Sequence, residues 1–266
     1  MAAERGGQVL LIDVGNTNVV FGICRGDDIV SLRLSTDSGR TADEHGALLL
    51  PLFERLGIDA AATEAILVSS VVPPLNPTLE ILAQRYFGVA PRFVGPGIRT
   101  GLEIRYDHPA EVGADRIVNA VAARQLYGSP VVVVDFGTAT TFDVVDRDGA
   151  YAGGIIAPGI SISAEALFAR ASRLYRVDVK KPPQLVGRNT AGAMQSGIYY
   201  GYIGMVDGIL RRLAYQLEGL RRVVATGGQA QLVAADSEYI DEVNDDLTLL
   251  GLRRIHELNT VFSDGV

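Results

Sequence analysis

Two segments of the chain set the same chemistry-bearing residues in the same order. Leu10-Leu11-Ile12-Asp13-Val14-Gly15-Asn16-Thr17-Asn18-Val19-Val20-Phe21-Gly22 is an apolar run that reaches an Asp, turns at a glycine and goes back out apolar. Val132-Val133-Val134-Asp135-Phe136-Gly137-Thr138-Ala139-Thr140-Thr141-Phe142-Asp143 does the same. Asp13 and Asp135 lie 122 positions apart, close to half of the 266 residues. A glycine at such a turn lets the backbone approach a ligand and take a positive φ. Consecutive N–H groups there form an anion-binding concavity, and Thr17, Thr138, Thr140 and Thr141 add hydroxyl donors. A carboxylate repels phosphate, so Asp13 and Asp135 are expected to orient a cation or its water shell. Two ordinary β-hairpins with polar turns are the alternative; repetition at half-chain spacing favours a phosphate site.

A third group is Tyr106-Asp107-His108-Pro109-Ala110-Glu111-Val112-Gly113-Ala114-Asp115-Arg116. Pro109 and Gly113 bend the backbone and Asp115 opens a helix. An Asp there is most often a cap, but Arg116 adds a fixed cation and a long loop leads in. The pair suits phosphoryl transfer to an alcohol: the Asp accepts the hydroxyl proton and the Arg neutralises the moving phosphoryl group. A helix N-terminus makes Asp115 a weak base, which a loose transition state tolerates.

Thr226-Gly227-Gly228 follows a strand and precedes a helix, so a flat ring such as adenine could rest on it; a plain strand–helix turn is the alternative. Thr190 reads as an N-cap or a substrate contact. Arg170, Arg173, Arg176, Lys180 and Lys181 read as solvated surface. His45, His108 and His256 have no metal-ligand spacing, and neither a Walker A nor a G-x-G-x-x-G sequence is present.

The elements that must position these groups alternate between strand and helix, which points to an α/β fold. Strands are predicted near 8–13, 18–24, 28–34, 65–71, 91–94, 130–135, 140–146, 150–157 and 222–225. Helices are predicted over 41–56, capped by a Thr41/Glu44 box, and over 75–87, 114–126, 161–172, 190–217, 229–235 and 247–258. Residues 95–114 form a long loop of the functional kind, 173–188 a basic connection, and 261–266 a tail. The domain reading is two halves, 1–125 and 126–260. Gly192, Gly197, Gly201, Gly204 and Gly208 on the longest helix each cost about 1 kcal/mol against alanine. They imply a close partner helix, from a second subunit or from the same half.

The net charge of −7, without a dense basic stripe, disfavours nucleic-acid binding. The single cysteine, Cys24, fits a buried inert thiol in a reducing compartment. No apolar run reaches membrane-spanning length and the start has no secretory signal, so the expectation is a cytoplasmic protein with no membrane partner.

Five motifs together resemble the type III pantothenate kinase family over about residues 9–259. They are Asp13-Val14-Gly15-Asn16-Thr17, Gly113-Ala114-Asp115-Arg116, Asp135 to Thr141, Gly153-Gly154-Ile155-Ile156-Ala157-Pro158-Gly159 and Gly187-Arg188-Asn189-Thr190. The resemblance implies two ribonuclease-H-like half-domains of the acetate and sugar kinase, heat-shock chaperone and actin superfamily, with ATP in the cleft. It implies a homodimer, pantothenate near the subunit interface, magnesium-ATP, and a monovalent cation such as potassium or ammonium. By position, Asp13, Val14, Gly15, Asn16, Thr17, Asn18, Val19 and Val20 would form the first ATP phosphate loop, and Thr138 would touch ATP. Tyr106, Gly113, Ala114, Asp115, Arg116 and Thr190 would line the pantothenate site. Asp115 would accept the proton and Asp135 would ligate the monovalent cation. His108 stands where the family more often has Asn, and Leu174-Tyr175 where Leu-Pro is commoner.

The rival functions are another small-molecule kinase of the same superfamily and a non-catalytic nucleotide-binding regulator. The regulator should have lost Asp115 or Arg116, and both are present.

Overall fold

The computed structural model describes residues 7–26, 28–170 and 174–260. The expected end of the 161–172 helix, Arg173 and the 261–266 tail lie outside the described residues. Ten strands and seven α-helices follow one another as β1 (Gln8–Val14), β2 (Asn18–Arg25), β3 (Asp28–Ser35), α1 (Ala42–Arg55), β4 (Thr63–Ser70), α2 (Asn76–Leu82), β5 (Pro91–Phe93), α3 (Ala114–Tyr127), β6 (Val131–Phe136), β7 (Ala139–Val145), β8 (Tyr151–Pro158), α4 (Ile160–Arg170), α5 (Thr190–Gln216), β9 (Arg222–Thr226), α6 (Ala230–Ala234), β10 (Glu242–Val243) and α7 (Leu247–Thr260).

The strands make two sheets of one topology. The first has the order β3-β2-β1-β4-β5 and the second, read from the other edge, β8-β7-β6-β9-β10. In each, the first two hairpins are antiparallel and the fourth and fifth strands run parallel to the first. The duplication heard in the Asp-x-Gly segments therefore extends to the whole sheet. The chain divides into two compact units: one holds described residues 7–101, 110–122 and 248–260, the other 102–109 and 123–247.

In the first unit, alternation along β1 sends Leu10, Ile12 and Val14 into a core with Phe21, Ile66, Val68 and the apolar stripes of α1 and α2. Leu11 and Asp13 face the other way, where Leu249 of α7 lies against Gly22. The predicted Thr41 capping box is present: Thr41 accepts from the Glu44 N–H, and Glu44 accepts from the Thr41 N–H at 2.7 Å. The predicted 75–87 helix is instead three pieces: a 3₁₀ turn at Pro73–Leu75, α2, and a π-helical turn at Ala83–Phe87 closed by Gly88 in the left-handed region.

In the second unit, Val132, Val134 and Phe136 bury against Tyr199, Tyr202, Val206 and Leu210 of α5. Val133 and Asp135 face the opposite side, as do their register partners Asp143 and Thr141.

Candidate active site

The two Asp-x-Gly turns are built alike. In the first, the Gly15 N–H donates to the Asn18 carbonyl at 2.9 Å. In the second, the Gly137 N–H donates to the Ala139 carbonyl at 3.1 Å. Asn16, Thr17, Gly137 and Thr138 are exposed, and the two Asp residues are half-buried at the strand ends. Neither Gly15 nor Gly137 takes the expected positive φ. At Gly15 space is tight, since a Cβ would sit 3.2 Å from the Asn18 carbonyl oxygen; at Gly137 a Cβ would meet the Ala139 carbonyl oxygen at 3.5 Å, an ordinary contact. The end of β3 clasps the first turn, with the Thr36 hydroxyl donating to the Gly15 carbonyl at 2.6 Å.

Two of the four expected hydroxyl donors are spent inside the second unit. Thr140 has no exposed surface and its hydroxyl is hydrogen-bonded to Tyr202 of α5. Burial pushes the Tyr202 phenol up, an effect its bond with Thr140 opposes. Thr141 donates to Asp143 Oδ2 at 2.8 Å. Thr17 and Thr138 remain at the turn surfaces.

Asp135 is enclosed by glycines. A Cβ on Gly227 would meet Asp135 Oδ1 at 2.5 Å and the Phe136 nitrogen at 2.7 Å, and Gly227 has φ 91°. A Cβ on Gly159 would strike the carbonyl oxygens of Gly137 and Thr138. This carboxylate, cradled by backbone that tolerates no side chain, is an all-oxygen donor group of the kind a hard cation takes. Gly228, beside Gly227, has nothing within 4 Å of its Cβ position and presents bare backbone. Sequence reading gave Gly159 no role, because the carbonyls it accommodates belong to a turn twenty residues away.

Asp115 is the second residue of α3, not its cap. Its carboxylate turns back so far that a Cβ on Gly113 would lie 2.5 Å from Oδ1, and that same oxygen accepts the Arg116 N–H at 2.8 Å. The first turn of α3 thus holds the carboxylate on its own backbone, where the helix dipole favours the anion. Arg116 is 7% exposed, so its guanidinium is mostly within the fold.

Thr190 is not the N-cap of α5. Asn189 is, accepting the Gly192 N–H at 2.8 Å, which leaves Thr190 exposed on the first turn. Asparagine and threonine both cap well, so their adjacency concealed the register. Gly187 permits the crossing here, since a Cβ on it would sit 2.6 Å from the Ala193 Cα.

Tyr106 is 37% exposed, its ring 3.6 Å from the Cβ position of Gly153 and 6.4 Å, centroid to centroid, from Tyr151. The basic residues Arg170, Arg176, Lys180 and Lys181 are exposed, as expected of a solvated surface, and two of them form surface ion pairs: Lys181 with Asp236 at 2.6 Å and Arg176 with Glu165 at 3.2 Å. Cys24 is buried, and burial pushes its thiol up to about 11, as fits an inert cysteine.

A model of the type III pantothenate kinase family matches residues 9–212. The chain belongs to the type III pantothenate kinase family. The type III pantothenate kinase of Geobacter sulfurreducens is 54% identical over 252 residues, covering 94% of this chain and 99% of its own. That of Pelobacter propionicus is 53% identical with the same coverage. Among solved structures, the activator of the 2-hydroxyisocaproyl-CoA dehydratase from Clostridium difficile, determined with bound ADPNP, superposes with TM-score 0.54 at 13% identity, covering 97% of this chain and 98% of its own. The ethanolamine utilization protein EutJ from Carboxydothermus hydrogenoformans gives 0.54 at 14%, covering 94% and 90%. At such identities the likeness is one of fold, and it bears out the duplicated α/β arrangement expected for a type III pantothenate kinase.

Proposed function

We propose that the protein transfers the γ-phosphoryl group of ATP to the primary hydroxyl of pantothenate, giving 4'-phosphopantothenate and ADP, the first step of coenzyme A synthesis. The observation that carries this reading is Asp115, a carboxylate fixed on the first turn of α3 in a chain of this family. It accepts the hydroxyl proton as the new P–O bond forms, and Arg116 offsets charge on the phosphoryl group. The segment from Asp13 to Val20 and Thr138 are the ATP phosphate contacts, with Gly227 and Gly228 the bed for adenine. Tyr106, Gly113, Ala114 and Thr190 bind pantothenate. Asp135 is the residue to hold potassium or ammonium, which would supply positive charge beside the triphosphate; magnesium enters with ATP.

The homodimer is part of the proposal. Gly197, Gly201 and Gly204 of α5 are exposed, and beyond their chain neighbours and the helix's own nearby backbone no described residue comes within 4 Å of their Cβ positions. The helix of the same half, one of the two partners considered from sequence, does not cover them. A bare backbone strip of this kind admits a helix at close range, and a second copy of α5 is the occupant we favour. No helix among the described residues is long and apolar enough to cross a membrane, and ATP use with a single buried thiol suits the cytoplasm.

The direct test is ADP release by purified protein, with and without pantothenate and with potassium exchanged for sodium. Turnover should need pantothenate and fall in sodium. Release that is indifferent to pantothenate but responds to another alcohol would replace it with a different acceptor.

A further inference from the structure

Beneath Tyr106 lies a buried carboxylate to which no role in the reaction has been given. Asp143, in the middle of β7, has no exposed surface. It accepts the Tyr151 hydroxyl on Oδ1 at 2.8 Å and the Thr141 hydroxyl on Oδ2 at 2.8 Å. Burying a carboxylate carries a large desolvation cost unless each oxygen is served. An apolar pair would fill the same space without that cost, so scaffolding alone is a poor explanation for it.

Tyr151 is a fully buried side chain and the first residue of β8. Its backbone clamps the strand-like segment before Tyr106: its N–H donates to the Glu103 carbonyl at 2.8 Å, and its carbonyl accepts the Arg105 N–H at 2.8 Å. The Arg105 side chain ties the same segment to Asp146 at 2.9 Å and Asp148 at 2.8 Å, across the turn that leads into β8. Tyr106 comes next, its ring tilted 52° against that of Tyr151. Its ring also lies against Gly153, 3.6 Å from that residue's Cβ position. One residue, Tyr151, therefore fixes Tyr106 through its main chain and its ring, and Asp143 fixes the ring of Tyr151.

We infer that Asp143 is a positioning residue for the acceptor substrate, acting through Tyr151 to set where Tyr106 stands. The inference rests on the reading that Tyr106 lines the pantothenate site. Two hydroxyl groups donating to a single buried carboxylate leave Tyr151 little rotational freedom, because its O–H has one acceptor in fixed position. Without that bond the Tyr151 ring can shift within its pocket, and Tyr106 loses its backing. The consequence is selective, because pantothenate binding weakens while the nucleotide turns at Gly15 and Gly137 keep their own hydrogen bonds.

The test is steady-state kinetics of three variants in the full-length protein, with thermal unfolding recorded for each. Tyr151→Phe keeps the ring and removes the hydroxyl, and it is the variant least prone to unfold. It should raise the pantothenate KM about tenfold while the ATP KM and kcat stay within about twofold. Asp143→Asn should do the same more weakly than Asp143→Ala, because the amide oxygen still accepts one hydroxyl. A folded Tyr151→Phe with an unchanged pantothenate KM overturns the inference, and so does an equal rise in both KM values, which would mark a structural role only. Tyr106→Ala separates the two layers. If it raises the pantothenate KM while Tyr151→Phe does not, the site reading stands and the positioning role falls; if Tyr106→Ala leaves that KM unchanged, both fall.

Discussion

Gly227 stands so close to Asp135 that a methyl group on it would reach 2.5 Å from the carboxylate Oδ1. The two residues come from neighbouring strand ends, since Asp135 pairs in register with Thr226. Glycine is required here twice over, by the contact and by a φ of 91°. The position of the Asp135 carboxylate is thus set by the residue after β9 as much as by β6.

Gly227→Ala should therefore displace the Asp135 carboxylate. The left-handed backbone alone costs of order 1–3 kcal/mol for a residue with a Cβ, so the melting temperature falls. The potassium concentration giving half-maximal activity should rise about tenfold or more, by the displacement of a cation ligand. A potassium titration of the variant checks this, and an unchanged midpoint would detach Asp135 from the cation.

Asp135→Ala removes the ligand outright. The variant should fold, and its activity should no longer distinguish potassium from sodium. If the wild-type potassium response survives, the cation sits elsewhere.

Asp115→Asn should fold and bind ATP, yet lose about 10²–10⁴ in kcat, the usual worth of a positioned base. Single-turnover ADP formation with saturating pantothenate is the measurement. An undiminished kcat takes Asp115 out of the chemistry and leaves it a first-turn helix residue.

Thr140→Val tests a distinction inside one turn. Its hydroxyl partner is Tyr202, which keeps a backbone hydrogen bond with Ile160, so the loss should appear as stability, about 1 kcal/mol for one buried hydrogen bond. The ATP KM should not move. Thr138→Val, two residues earlier, should show the opposite pattern.

His45 gives a pH prediction. It has no exposed surface, and neither ring nitrogen has a hydrogen-bond partner among the described residues. Burial holds its pKa below the ordinary 6.5, with Arg40 acting in the same sense and Asp37 and Glu44 opposing. A lowered folded pKa means that stability is whole above about 6.5 and is lost as the pH falls through that value toward the folded one. His256 is lowered by burial too and contributes with the same sign. His45→Leu should be neutral or stabilising by about 1 kcal/mol near neutrality. It should also flatten, without abolishing, the decline in melting temperature between about pH 7 and pH 5. A variant that melts much earlier at every pH would show that the imidazole contributes more than its ring volume.

The sequence carried the hairpins because their signals are local: an apolar run, an Asp and a glycine within a few residues. It carried the duplication of the two turns for the same reason; the strand order within each sheet came only with the structure. What it could not carry were partners distant along the chain. The Thr140 hydroxyl looked available until Tyr202, sixty-two residues on, was found bonded to it. Gly15 was legible as a glycine, but the letter does not say whether a turn needs its left-handed freedom or only its lack of bulk. The choice between Asn189 and Thr190 as the cap turned on one residue of register. Glu242–Val243 is too short a strand to leave a periodic trace. Asp143 was read as the end of a motif, and its burial shows only when Tyr151 folds over it.

Helix α7 closes the first unit from far along the chain. Its Leu249 rests on Gly22, and its Gly251 fits over Val118 where no Cβ could stand. During translation, β1 to β5 leave the ribosome well over a hundred residues ahead of α7, so Gly22 and Val118 wait for Leu249 and Gly251 to cover them. A nascent chain halted at β10 would offer chaperones an apolar patch that the finished protein hides. Truncations before Leu247 should then fail through the unit that was made first.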